Sequence, residues 1–163
     1  MQIDFKGKLL NTSGPVLTKG ATLPPFEVVN AAAKSISGAD LTGKLTLISV
    51  VPDINTSVCS ISTKHFNAAA DKFPEVNFFT ISTNTIADQK NWCAVEGVQR
   101  MQLLSDAAHQ FGLAMGLYVP ELGIDARSIW ILDADGQVIY QELIKVQTNE
   151  PNYQAALDFL KSR

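Results

Sequence analysis

Cysteine is scarce in this chain of 163 residues: there are two, together with two histidines. Two cysteines cannot staple a disulfide scaffold, and their spacing is not that of a metal finger. They suit a reducing compartment, in which any disulfide is transient rather than structural. Clusters of basic residues are missing and the net charge is −3, which argues against nucleic acid as a partner. No apolar run approaches the roughly 18 residues that a membrane span requires. The start, Met1-Gln2-Ile3-Asp4-Phe5-Lys6-Gly7, has no cationic stretch followed by an apolar one. That pattern carries no secretory signal, and a cytoplasmic location is expected. Internal repeats and low-complexity segments are also lacking, so one domain over residues 1–163 is expected. Its 46% hydrophobic content is enough to fill a core.

Strands and helices alternate along the chain. Residues 2–12 read as a small hairpin about Lys6-Gly7, followed by a connector from Ser13 to Pro25 rich in Gly, Pro and Thr. Phe26 to Val29 is a short strand, and Gly38 to Gly43 is a turn or a single helical turn. Lys44 to Val51 is nearly all apolar, as a strand covered on both faces would be. Phe66, Ala69, Ala70 and Phe73 then recur at helical period until Pro74. Val76 to Ser82 is a second buried strand, residues 86–96 a helix, and His109 to Met115 a further short helix. Ser128 to Leu132 and Val138 to Tyr140 flank Asp133-Ala134-Asp135-Gly136, whose Asp-Gly favours a hairpin turn. Pro151 is expected to open a last helix with Tyr153, Ala156, Leu157 and Leu160 on one apolar face. The pattern predicts an α/β fold of three layers.

The densest signal is Pro52-Asp53-Ile54-Asn55-Thr56-Ser57-Val58-Cys59, between a buried strand and a helix. This places Cys59 in or near the first helical turn, where unpaired N–H groups and the aligned peptide dipoles favour a thiolate. A buried, inert cysteine is the plain alternative. Thr56 sits three residues earlier, where its hydroxyl can cap the helix, donate to the sulfur or hold a substrate oxygen. Pro52 fixes φ and has no N–H; it ends the strand or walls the thiolate from water.

Pro52, Thr56 and Cys59 match Pro-x-x-x-Thr-x-x-Cys, the active-site signature of the peroxiredoxins. Further blocks match in order: Ser62-Thr63-Lys64-His65-Phe66-Asn67, Trp92-Cys93-Ala94-Val95-Glu96-Gly97, Gly123-Ile124-Asp125-Ala126-Arg127 and Glu150 to Leu157. Across most of its length the chain resembles the bacterial thiol peroxidases of the Tpx type, the atypical two-cysteine peroxiredoxins. The resemblance implies a thioredoxin-like α/β/α sandwich with an N-terminal β-hairpin. It also implies a thiol-dependent peroxidase that reduces hydrogen peroxide and organic hydroperoxides without metal, flavin or haem. By that resemblance Cys59 attacks the peroxide and becomes a sulfenic acid, and Cys93 resolves it to an intramolecular disulfide. Thioredoxin then reduces the disulfide by exchange. Arg127 matches the arginine that reaches the peroxidatic sulfur, Thr56 and Arg127 position the peroxide, and Pro52 shields the thiolate. A homodimer is implied as well.

A disulfide requires Cα atoms within about 7 Å, so one or both helices bearing Cys59 and Cys93 are expected to unwind locally during the cycle. Apolar residues near the loop, such as Ile54, suit bulkier hydroperoxides. The chain departs from the family at Asp53 and Asn55, where Ser and Asp are usual. It departs again at Leu104-Ser105-Asp106-Ala107-Ala108, which lacks the usual arginine, and no role is carried into that segment. Three other readings remain at this stage. A disulfide exchange protein is opposed by the lack of Cys-x-x-Cys. A redox sensor would keep every site residue. A zinc site from Cys59, Cys93 and His65 has poor ligand spacing. Neither His65 nor His109 is placed to act as the base of a Cys/His hydrolase.

Overall fold

The computed structural model describes residues 1–96 and 100–163, with the side chains of 94–96 left aside. Gly97, the last residue of the Trp92 block, lies outside the described residues. The chain opens with an antiparallel hairpin of β1 (Gln2–Phe5) and β2 (Lys8–Asn11). Lys6 and Gly7 both take positive φ, 54° and 87°, the geometry that lets a two-residue turn follow the twist of its strands. The Asp4 carboxylate accepts the Gly7 N–H and closes that turn.

The main sheet has seven strands. They are β3 (Glu27–Val29), β4 (Ser35–Ser37), β5 (Thr46–Val50), β6 (Asn77–Ser82), β7 (Gln102–Ser105), β10 (Ser128–Leu132) and β11 (Val138–Leu143), in the order β11-β10-β5-β6-β7-β3-β4. Strands β5, β6 and β7 are parallel, and β10 runs antiparallel to β5. Among the described residues four α-helices complete the frame, α1 (Ser57–Ala70), α2 (Ile86–Glu96), α3 (Gln110–Met115) and α4 (Tyr153–Lys161), with a single 3-10 turn at Gly38–Leu41. A two-stranded ribbon, β8 (Tyr118–Val119) with β9 (Ile124–Asp125), precedes β10.

Side-chain alternation divides the core. In β10, Ile129 and Ile131 face one layer while Trp130 and Leu132 face the other. The first layer holds Phe66 of α1, Trp92 of α2, and Ala156 and Leu160 of α4. The second holds Ile3 and Leu10 of the hairpin with Phe111 and Met115 of α3. The sheet is therefore covered on both faces, as the apolar run in β5 predicts. This is a thioredoxin-like α/β/α sandwich, with the N-terminal hairpin packed onto the layer that contains α3.

Strands β4 and β7 and the β8–β9 ribbon are absent from the sequence reading. Each has four residues or fewer, too short for a period to show, and each exists because a neighbour pairs with it. The last helix needs a correction: Pro151 does not open it. Asn152 is the N-cap, its side chain accepting the Ala155 N–H, and the helix begins at Tyr153.

The α3 helix ends at Gly116, whose φ is +75°. A Cβ there would lie 2.1 Å from the Pro15 carbonyl oxygen. Gly116→Ala is expected to cost more than about 1 kcal/mol through this clash and the left-handed backbone together. Urea unfolding of the variant measures it.

Candidate active site

Strand β5 delivers the chain to the site. Val51 remains tied to the sheet, its N–H donating to Ile81 O, before Pro52 turns the backbone out of it. Pro52 is itself buried. Residues 53–56 form a tight loop in which the Thr56 N–H and hydroxyl both donate to the Asp53 carbonyl. Thr56 is the N-cap of α1, and its Oγ1 accepts from the Cys59 N–H at 3.4 Å. Its single hydrogen is committed to Asp53, so in this arrangement the hydroxyl caps the helix and does not donate to the sulfur. Cys59 lies in the first turn of α1 and is 0% exposed.

The loop is clasped from the neighbouring strand. Asn84, just past β6, accepts the Ile54 N–H through Oδ1 at 2.8 Å and donates through Nδ2 to the Asp53 carboxylate at 3.0 Å. The Asn84 carbonyl in turn accepts from Ser105 Oγ at the end of β7. The departure at Asp53 is thus half of a polar clasp between the Cys59 loop and the connection leading to α2. Ile54 points inward and is fully buried in the core. Its side chain cannot line an open substrate surface, which corrects the expectation drawn from it.

Arg127 arrives from β10's leading end and is 3% exposed. Its Nη2 donates to Cys59 Sγ at 3.1 Å and its Nε to the Gln147 carbonyl at 2.8 Å, while Nη1 is buried without a partner. Among the described residues no ion pair joins Arg127 to a carboxylate. A buried cation needs a compensating negative charge. The Cys59 sulfur is the group that the guanidinium reaches, at hydrogen-bond distance. The orphaned Nη1 is a ready donor for an oxygen brought to the same sulfur.

A second layer braces α1. Ser62 Oγ donates to the Val58 carbonyl and shares a hydrogen bond of 2.9 Å with Tyr153 Oη of α4. Burial, opposed in part by the Ser62 contact, pushes the Tyr153 hydroxyl up to about 12, so it stays protonated. His65 is exposed and stacks on the Tyr153 ring at 4.2 Å, a packing role away from the sulfur. His109 caps the start of α3 in a left-handed conformation and leans on Tyr118. Asn67 fixes the far end of the Cys93 connection, its Oδ1 accepting the Arg100 and Met101 N–H groups.

Cys93 sits on α2, half-buried, in the same apolar layer as Cys59. Both thiols are free. Burial pushes the Cys93 thiol up, which lowers its thiolate fraction at neutral pH. It opens on a cleft of about 450 Å³ lined by Asn30, Gln89, Lys90 and Met101 among others. No three His, Cys, Asp or Glu side chains gather among the described residues as a metal site requires.

Sequence reading missed Gln147 and Asn84. Neither carries a local signal: one is a glutamine in a polar connector and the other the third residue of Ser82-Thr83-Asn84, an ordinary turn composition. Their contacts span tens of positions and appear only when the chain is folded.

The model of the AhpC/TSA family matches residues 20–141. The thiol peroxidase of Bacillus subtilis is 38% identical over 162 residues, covering 99% of this chain and 97% of that protein. A thiol peroxidase of Staphylococcus aureus is also 38% identical, covering 99% and 98%. A peroxiredoxin-like protein from Aquifex aeolicus superposes with a TM-score of 0.92 at 28% identity, covering 99% of this chain and 96% of that one. A thiol peroxidase from Chromobacterium violaceum shares the fold, with a TM-score of 0.88 at 18% identity over 99% and 95%. A sulfur held by a buried guanidinium at a helix start, on a chain matched from end to end by such relatives, places this protein in the AhpC/TSA family, among its peroxiredoxin-type thiol peroxidases.

Proposed function

We propose that this chain reduces hydrogen peroxide and organic hydroperoxides at Cys59, passes the oxidation to Cys93 as an intramolecular disulfide, and is recycled by thioredoxin in antioxidant defence. The observation that carries the reading is the 3.1 Å contact between Arg127 Nη2 and Cys59 Sγ, with Nη1 left unpartnered. The thiolate attacks the terminal peroxide oxygen, forming an S–O bond as the O–O bond breaks. Sulfur is oxidised to sulfenic acid, and the departing oxygen takes a proton to leave as water or an alcohol. Arg127 stabilises the charge that develops on that oxygen. Cys93 then attacks the sulfenic sulfur, water leaves, and a dithiol reduces the resulting disulfide by exchange.

Cys59 is buried and capped, and Cys93 is half-buried on another helix. Disulfide formation therefore needs the first turn of α1 or the Cys93 end of α2 to open. Because burial holds the Cys93 thiol up, resolution is expected to speed up as pH rises from 6 to 9, and opening lessens that dependence. The test is peroxide consumption with catalytic thioredoxin and its reductase. Many turnovers per chain support the enzyme, whereas one stoichiometric oxidation followed by arrest indicates a redox sensor. In Cys93→Ser the first oxidation is expected at full rate, followed by accumulation of the Cys59 sulfenic acid, detected by dimedone labelling and mass spectrometry. Disulfide-linked turnover persisting in that variant would overturn the role given to Cys93.

A further inference from the structure

Gln147 lies in the connector between β11 and α4, four residues beyond the strand's end, yet it is 1% exposed. A buried glutamine must place every polar group. This one does so largely on Arg127. Its side-chain Oε1 accepts the Arg127 main-chain N–H at 2.7 Å, and its main-chain carbonyl accepts Arg127 Nε at 2.8 Å. Its Nε2 donates to the Ile144 carbonyl, while the Ile144 N–H donates to the Arg127 carbonyl. The Gln147 N–H donates to the Asp4 carbonyl of β1, which anchors the connector to the N-terminal hairpin.

The guanidinium has a fixed planar fork, so fixing Nε fixes where the other two nitrogens point. With Nε on the Gln147 carbonyl, Nη2 falls on Cys59 Sγ and Nη1 is left free beside it. The side chain adds two ties to the main-chain anchor on Asp4, because Oε1 and Nε2 join residue 147 to both Arg127 and Ile144. We propose that Gln147 is the positioning residue of the site: it aims the Arg127 fork at the peroxidatic sulfur. This rests on the peroxidase reading above. Gln147 touches neither sulfur nor substrate and acts through Arg127 alone.

The test compares the rate of Cys59 alkylation by iodoacetamide at pH 6 with that at pH 9, in a Cys93→Ser background. Wild-type Gln147 is expected to keep much of the rate at pH 6, because the guanidinium favours the thiolate. In Gln147→Met, which keeps the length but loses both polar groups, the pH 6 to pH 9 ratio is expected to fall about tenfold. Oxidation by hydrogen peroxide falls in parallel. Gly116→Ala is the control for general loosening: it loses stability without touching the site, and its ratio is expected to match the wild type. Should Gln147→Met fail to fold, Gln147→Glu replaces it, and the same fall is expected because the new carboxylate draws the guanidinium from the sulfur. A variant ratio equal to the wild type's, with the wild type reactive at pH 6, overturns the inference and leaves the peroxidase reading standing. A wild type alkylated readily at pH 9 but not at pH 6 overturns both.

Discussion

Replacing Arg127 with lysine is expected to slow oxidation of Cys59 by hydrogen peroxide by about a hundredfold. The charge is kept and the fork is lost. Lysine has one nitrogen, which cannot at once satisfy the Gln147 carbonyl, reach the sulfur and leave a donor for the peroxide. A buried ammonium also tends to shed its proton, which would remove the charge that faces the thiolate. Single-turnover stopped-flow oxidation, followed by the decline of free thiol, reads the effect directly. The rate is expected to fall while binding of the reductant is little changed, since the reductant acts after the oxidation step. An Arg127→Lys protein oxidised as fast as the wild type would remove the guanidinium from the chemistry.

Asp125→Asn is expected to stabilise the protein at neutral pH by about 1–3 kcal/mol. Asp125 is fully buried and neither carboxylate oxygen has a hydrogen-bond partner. It lies against Gly112, where a Cβ would come within 1.9 Å of Oδ1. The Asp106 carboxylate is also at this end of α3, accepting the Phe111 and Gly112 N–H groups. Burial first, and then the neighbouring Asp106 carboxyl, push Asp125 well above the usual carboxylate range. In the unfolded chain an aspartate releases its proton near pH 4. Between that pH and the higher native value the folded protein holds a proton that the unfolded chain has lost. Stability from this group is therefore complete below about pH 4 and declines as pH rises through the native value. Asparagine has the same shape and no such titration, and its amide can donate to Asp106. The variant's thermal midpoint is expected to rise by a few degrees at pH 7 to 8, with a flatter pH profile there than the wild type's. A lower midpoint at neutral pH, or an unchanged slope, would contradict the neutral-carboxyl account.

The long elements were legible because each carries its own period or cap. Leu47, Ile48, Val50 and Val51 form a run that only a doubly covered strand tolerates. Phe66, Ala69 and Ala70 mark the buried side of α1, and Thr56 caps it as its residue type suggests. The short elements were not legible. Strand β7 has four residues and is held by pairing with β6 and β3, so its existence depends on chains remote in sequence. The Pro151 correction has a similar origin: proline and asparagine are both acceptable near a helix start, and the Asn152 cap bond to Ala155 decides between them.

The candidate site divides along the same line. The order of residues alone put a cysteine at a strand-to-helix junction behind a threonine cap, because both features are local and need only the next few residues. The contact of Arg127 with that sulfur spans 68 positions. It was expected by resemblance and became a distance only in the folded chain. The Asn84 clasp, the Gln147 brace and the buried Asp106–Asp125 corner had no sequence signature. Each is made of common polar residues whose meaning comes from burial. Exclusion from water turns an ordinary glutamine or aspartate into a group that must find a partner or change its protonation, and only tertiary structure determines which residues are so excluded.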